Sequence, residues 1–432
     1  MKSIELLGRR RFLPFFLTQF AGALNDNLYK NGLTIFIAYQ SVAIDQSESN
    51  LLVNIAAGLF ILPFFLFSGI AGQLADKLEK SRLIRRIKLL EVGIMLFAWL
   101  AFYLQSMTLL IGLLFLMGTQ SALFGPVKYS LLPQVLKEDE LVGGNALVQS
   151  GTFLAILLGL IAGVLIIGIE DSGPAWLSLS VLLLALFGYL ISRKIPLAAP
   201  QAGAIRIDFH LLRQIRQSFQ HARLNHSVFY SIIGISWFWF LGITYVTQLP
   251  NYVRYEIGGS EQVYVLLLAL FSIGIGAGSF LCERLSGDSV EIGLVPVGAL
   301  GLTLFGVDLF FIQHAAGTTL LSPLEFIEIS ANIHVMFVIF ILGVFGGLYI
   351  VPLFALVQKR SEVDKRARII AANNVLNALF MVLATVFSML VLGSGLSIKL
   401  LLLFIALLNL IVAGLIMLQV PEFMQRMKGL FH

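Results

Sequence analysis

Twelve windows of about twenty mostly apolar residues follow one another along the chain, each long enough to cross a bilayer's hydrocarbon core as a helix. They fall at roughly 12–38, 51–75, 87–105, 108–128, 143–169 and 174–192, then at 227–250, 262–282, 291–313, 333–356, 369–393 and 396–419. Backbone polar groups in lipid must be satisfied within the segment, so runs of this length fold as helices. The chain is 58% hydrophobic and only 12% charged, about half the charged share of a soluble domain. The expected fold class is an all-α membrane protein. Its expected organisation is an N-terminal six-helix bundle over 1–192, a linker over 193–226 and a C-terminal six-helix bundle over 227–432.

The positions of the bases orient these spans. Arg9, Arg10 and Arg11 precede the first; Lys77, Lys80, Arg82, Arg85, Arg86 and Lys88 follow the second. Arg193, Lys194, Arg206, Arg213, Arg216 and Arg223 lie in the linker, and Lys359, Arg360, Lys365, Arg366 and Arg368 follow the tenth. The opposite loops carry acids such as Asp45, Glu48, Glu170, Asp171, Glu325 and Glu328, with Arg254 and Lys399 as basic exceptions. By the positive-inside rule, both termini and the linker are cytoplasmic. The first apolar run is too long for a signal-peptide core and no cleavage pattern closes it, so it reads as a retained span.

Several function classes drop out. A single cysteine, Cys282, excludes an internal disulfide framework and a cysteine metal cluster. No basic stripe with interleaved aromatics points to nucleic acid. Neither a Walker A sequence nor a His-x4-Asp acyltransferase motif occurs, so the expectation is a non-enzymatic protein without cofactor or metal.

Two six-span halves suggest duplication. Phe124–Leu154 and Gly346–Phe380 match loosely: each has Gly and Pro in its fourth span, then a charged loop, then a small-residue/Asn start at Gly144-Asn145-Ala146 or Ala372-Asn373-Asn374. Parallel six-span repeats are one secondary-transporter architecture. In the linker, Phe209, Leu212, Ile215 and Phe219 recur at helical spacing between arginines. That pattern suits either a helix on the anionic leaflet or a solvated linker helix.

The polar residues inside the apolar runs carry the chemistry. In the first span, Asn25, Asp26, Asn27 and Lys30 sit near mid-bilayer, with Gln19, Asp26 and Lys30 on one helical stripe. A charge facing lipid at that depth costs several kcal/mol, so the stripe must face the bundle interior. Asp26 and Lys30, an acid four residues before a base, could be a structural ion pair or part of a binding site. Lys128, at the expected cytoplasmic end of span four, could snorkel to headgroups or bind an anion. Asn145, Gln149, Asn373 and Asn377 could hydrogen-bond between helices or contact a ligand. Further interior candidates are Gln120, Thr152, Asp308 and His334, the last read as interfacial. In the loop GQLADKLEKSR, Gly72, Asp76, Lys77 and Arg82 stand at the spacing of the major facilitator superfamily's loop motif, which implies a conformational latch. Glu79 stands where that motif has glycine, and Cys282 stands where the second-half counterpart would have its acid.

The stretches RRFLPFFLTQFAGALNDNLYKNGLTIF and FGPVKYSLLPQVLKEDELVGGNALVQSGTFLAILLG resemble the lysophospholipid (LplT-type) transporters of the major facilitator superfamily. The form they resemble most is the one fused to acyltransferase and acyl-ACP ligase domains. The resemblance implies twelve transmembrane helices in two six-helix repeats, in the inner membrane of a bacterium. It implies movement of lysophosphatidylethanolamine and lysophosphatidylglycerol from the outer to the inner leaflet by alternating access, for reacylation. Asp26 would then receive an ethanolamine ammonium, and Lys128 or Lys30 the phosphate. Since the sequence ends shortly after its twelfth span, acylation is expected from a separate acyltransferase. The chain is expected to act as a monomer, with Na+ or H+ as a conceivable coupling ion. Two alternatives are a proton-coupled exporter of amphipathic drugs and a non-transporting membrane anchor for an acyltransferase.

Overall fold

The structure, a computed structural model, describes residues 2–37, 46–200, 208, 210, 213, 216, 219–220, 222–286, 290–312 and 320–429. Most of the expected linker helix, including Phe209, Leu212 and Ile215, lies outside these residues. Among the described residues, twelve long helices coincide with the twelve expected spans. In the first half these are α1 Leu13–Ile35, α2 Gln46–Lys77, α3 Lys80–Tyr103, α4 Met107–Val135, α5 Leu141–Ile167 and α6 Gly173–Ser192. The second half contributes α7 His226–Asn251, α8 Glu261–Ser286, α9 Leu294–Phe311, α10 Ser330–Arg360, α11 Arg366–Gly393 and α12 Ile398–Gln419.

Odd-numbered helices leave the end where the basic loops gather, and even-numbered ones return to it. In the first half α1 packs on α5 and α6, α2 on α4, and α3 on α4 and α6. The same pairings recur six helices later: α7 with α11 and α12, α8 with α10, and α9 with α10 and α12. The halves meet along a seam formed mainly by α2 against α11 and α5 against α8, with α4 touching α11 and α5 touching α10. Glycines let these helices approach closely. A methyl group at Gly278 would run into the Val344 carbonyl, and one at Gly159 would lie 2.8 Å from Asn27 Cβ.

Ten of the twelve helices are long and apolar enough to cross a membrane. The two that fall short, α1 and α3, carry Asp26 with Lys30 and Lys88 with Glu91. Two boundaries differ from the sequence expectation, and both shift a charge inward. Helix α3 starts at Lys80, not near 87, because Glu79 caps it: its carboxylate accepts from the Ser81 and Arg82 amides at 2.9 and 2.8 Å. Helix α4 runs through Pro126 and Pro133 to Val135, since neighbouring helices hold a segment that would break in water. Lys128 therefore sits two turns inside α4, not at its end.

Candidate functional site

Successive residues of a helix point about 100° apart, so the tripeptide Asn25-Asp26-Asn27 serves three neighbours. Asn25, fully buried, donates to Glu91 Oε1 on α3 at 2.8 Å. Asp26 accepts from Gln120 Nε2 on α4 at 2.9 Å and from the adjacent Ser121 hydroxyl. Asn27 bonds back to the Ala23 carbonyl and packs against Gly159 of α5. Only Asp26 of the three presents a charge to the interior. Of the two readings left open for Asp26 and Lys30, the direct ion pair does not form, because Asp26 is engaged by α4. Lys30 instead lies over the Phe60 ring of α2, 5.5 Å from its centroid.

Helix α3 contributes a pair that the span reading placed at a loop edge. Lys88 and Glu91, each 1% exposed, form an ion pair of 2.6 Å in the heart of the N-terminal half. The lysine reaches there because Gly22 of α1 leaves room: a methyl group at Gly22 would collide with Lys88 Nζ. The Lys88 ammonium also sits 4.9 Å over the Phe124 ring, and the Lys128 ammonium 4.6 Å over that of Tyr129. All three interior lysines thus rest on an aromatic face, a contact of about 0.5–2 kcal/mol. Among the described residues, no carboxylate lies within 4.0 Å of Lys30 or Lys128. A lysine at mid-membrane costs about 2.5–3.5 kcal/mol, so a ring alone compensates only part of it. Among the described residues no cluster of metal-ligating side chains occurs.

The amide candidates belong mostly to the seam. Asn145 on α5 and Gln358 on α10 exchange two hydrogen bonds, 2.9 and 2.8 Å, both fully buried. Gln149 donates to the Tyr129 hydroxyl at 2.9 Å, and the Tyr129 ring stacks on Phe354 of α10 with centroids 4.6 Å apart. Asn377 accepts from Ser236 at 2.8 Å, whereas the Asn373 carbonyl oxygen is buried without a partner among the described residues. His334 pairs with Asp308 at 2.9 Å near the acidic end, both partly exposed and away from the seam.

The four residues expected to form a latch divide. Gly72 is pressed against α11, where a methyl group would meet Ala371 Cβ at 2.7 Å. Asp76, fully buried, accepts from the Ala367 amide and from Arg368 Nε, each at 3.1 Å. Lys77 and Arg82 lie outside this contact, Arg82 being exposed and 3.8 Å from Glu79. Lys359 on α10 adds an ion pair to Glu138 in the loop between α4 and α5. Each of these seam contacts lies between the basic end and mid-helix.

Sequence reasoning missed Lys88, Glu91, Ser121, Gln358 and Arg368 as partners. Lys88 and Glu91 carried a usable signal, two charges at i,i+3 beside the start of an apolar run, whereas Gln358 carried none.

A family model for the Major Facilitator Superfamily matches residues 15–385. The chain belongs to that superfamily. Its relatives include the lysophospholipid transporter LplT of Klebsiella pneumoniae subsp. pneumoniae, 26% identical over 370 residues that cover 78% of this chain and 83% of the relative. LplT of Citrobacter koseri is 28% identical over 314 residues, covering 70% of each. Among solved Major Facilitator Superfamily structures, the Escherichia coli fucose:proton symporter FucP aligns over 95% of this chain and 99% of its own, with a TM-score of 0.69 and 16% identity. The human organic anion transporter MFSD10 aligns over 94% and 99%, with a TM-score of 0.70 and 12% identity. Those structures show the fold, two six-helix repeats, and the family match with its transporter relatives makes the chain a multi-pass, non-enzymatic membrane transporter.

Proposed function

We propose that this transporter moves lysophospholipids from the outer to the inner leaflet of a bacterial inner membrane by alternating access. The observation that carries the reading is the charge set inside the N-terminal half. Asp26 faces inward, and Lys30 and Lys128 lack a carboxylate partner among the described residues. A lysophosphatidylethanolamine headgroup has the complementary pair, an ammonium for Asp26 and a phosphate for Lys128 or Lys30. The printed name of the curated relatives agrees with this cargo. A glycerol headgroup would rely on amides such as Gln120, whose side-chain carbonyl oxygen is buried without a partner among the described residues.

On this reading the basic end is cytoplasmic, and the contacts that close the seam there give a state that receives substrate from the outer leaflet. The lipid would then pass to a separate acyltransferase, the transporter acting as a monomer; any coupling to Na+ or H+ would be through the Asp26 region.

The test is uptake of labelled lysophosphatidylethanolamine into proteoliposomes, with imposed sodium and proton gradients. Uptake by wild type and its loss in Asp26→Asn support the reading. Undiminished uptake in that variant sinks the role given to Asp26, no uptake by wild type sinks the lipid reading, and export of a cationic amphiphile without lipid uptake favours the drug exporter. Normal cellular reacylation with neither activity favours the anchor.

A further inference from the structure

We propose that Glu91 sets headgroup preference by holding Lys88 away from Asp26. The inference deepens the lysophospholipid reading and rests on it for the identity of the cargo. Two routes through the structure locate Lys88 relative to Asp26. Along α1, the Lys88 ammonium fills the space beside Gly22, one helical turn from Asp26, and residues four apart on a helix are neighbours about 5–6 Å apart. Along α4, the same ammonium lies over Phe124, one turn from Ser121, which donates to Asp26. Lys88 is therefore within a side-chain swing of Asp26, and Glu91 fixes it at 2.6 Å on the other side.

Glu91 is held in turn. Its second carboxylate oxygen accepts from Asn25, so the residue preceding Asp26 anchors the acid that restrains Lys88. A buried ion pair is weak evidence for stability, since hydrophobic replacements of similar size are often as stable. What this pair does supply is a division of contacts: Lys88 is hydrogen-bonded to Glu91 and not to Asp26, whose own hydrogen-bond donors, Gln120 and Ser121, are neutral. An anion hydrogen-bonded by neutral groups in a low-dielectric interior retains its demand for a cation, which an incoming ammonium can satisfy. Releasing Lys88 would satisfy Asp26 from within and remove the selectivity for cationic headgroups. Glu91 is thus a positioning residue, acting through Lys88 on the group that touches substrate.

The experiment compares binding of lysophosphatidylethanolamine and lysophosphatidylglycerol to detergent-purified wild type, Glu91→Gln, and Lys88→Met/Glu91→Gln. The introduced amide is nearly isosteric with the carboxylate and can still accept from Asn25, which protects the fold. The expected result is about a 10-fold loss of preference for the ethanolamine lipid in the single variant, the size of one charge-assisted hydrogen bond. The double variant, in which Lys88 is removed together with its restraint, should recover the wild-type ratio. An unchanged ratio in Glu91→Gln, an equal loss for both lipids, or failure of the double variant to restore the ratio overturns the inference. Should wild type bind neither lipid, the cargo assignment has failed, and dodecylamine then decides the inference alone. Wild-type binding that Glu91→Gln loses and the double variant regains supports it; equal binding by all three overturns it.

Discussion

The two halves share a packing pattern but not an interior chemistry. The N-terminal half buries or half-buries Asp26, Lys30, Lys88, Glu91 and Lys128 among its helices. Among the described residues, the charges of the C-terminal half stand toward the helix ends, buried Arg366 at the start of α11 and half-buried Asp308 near the end of α9, and its mid-helix polar groups are neutral. Asn409 accepts from Trp237 Nε1 at 2.8 Å and donates to the Ala299 carbonyl and Thr303 hydroxyl at 2.9 Å, and Ser236 donates to Asn377. One half therefore holds charges at mid-helix, of which Lys30 and Lys128 have no carboxylate within 4.0 Å among the described residues, while the other holds mainly neutral polar groups there. On the proposed function, the N-terminal half of a duplicated fold is the one that reads the headgroup's charge.

That division can be broken most sharply at Asp26. Asp26→Asn should lower binding of an ethanolamine headgroup on the order of 100-fold, the upper range for a hydrogen bond to a buried charge. Isothermal calorimetry in detergent would measure it. Lys128→Met should weaken binding of both lysophospholipids by about 10-fold, since each carries the phosphate, whereas Asn377→Ala should change either by no more than a few-fold. Equal losses at Lys128 and Asn377 would erase the distinction between the halves.

Closing the seam is the next level. Gln358→Ala strands the buried Asn145 amide, a penalty of about 1–3 kcal/mol borne only by the closed state. Spin-label distances across the basic end should show about a 10-fold shift of the population toward separated halves. Trp237→Phe removes a donor from the Asn409 network and should lower the melting temperature by a few degrees while leaving ligand binding intact.

The smallest effect concerns the helix Glu422–Gly429 after α12, where the hydrogen-bonded Arg360 guanidinium holds the Glu422 carboxyl below the usual carboxylate range. A depressed acid contributes stability above its unfolded pKa and loses it as pH falls through the folded value. Docking of this helix should therefore hold at neutral pH and loosen only below about pH 4, the ordinary glutamate value. Glu422→Gln should flatten that response in hydrogen exchange of residues 422–429.

Helix number was legible in the sequence because span length and basic-loop asymmetry are local properties, and the family because the loop GQLADKLEKSR and two further stretches resemble its members. Asp26 was legible for the same reason: a lone acid deep in an apolar run has few explanations. What the sequence hid was partnership. Nothing in the neighbourhood of Gln358 says that it faces Asn145, 213 positions away. Of the two readings left open for Asp26 and Lys30, the direct ion pair is the one that does not form: spacing along one helix takes no account of competitors on the next, and Gln120 and Ser121 reach the acid from α4. Lys88 was counted with the loop bases because a segment rich in arginine and lysine resembles a loop until Glu79 is known to cap a helix.

The tripeptide Asn25-Asp26-Asn27 has a consequence for how such a chain can vary. Each of its side chains is committed to a different neighbour, so inserting or deleting one residue before it turns all three by about 100° and misdirects every contact at once. Only a change near seven residues, about two full turns, restores the facing, and that lifts the site by roughly 10 Å along the membrane normal. The length of α1 ahead of Asn25 is thus an inherited ruler, and insertions or deletions there should be far rarer than substitutions.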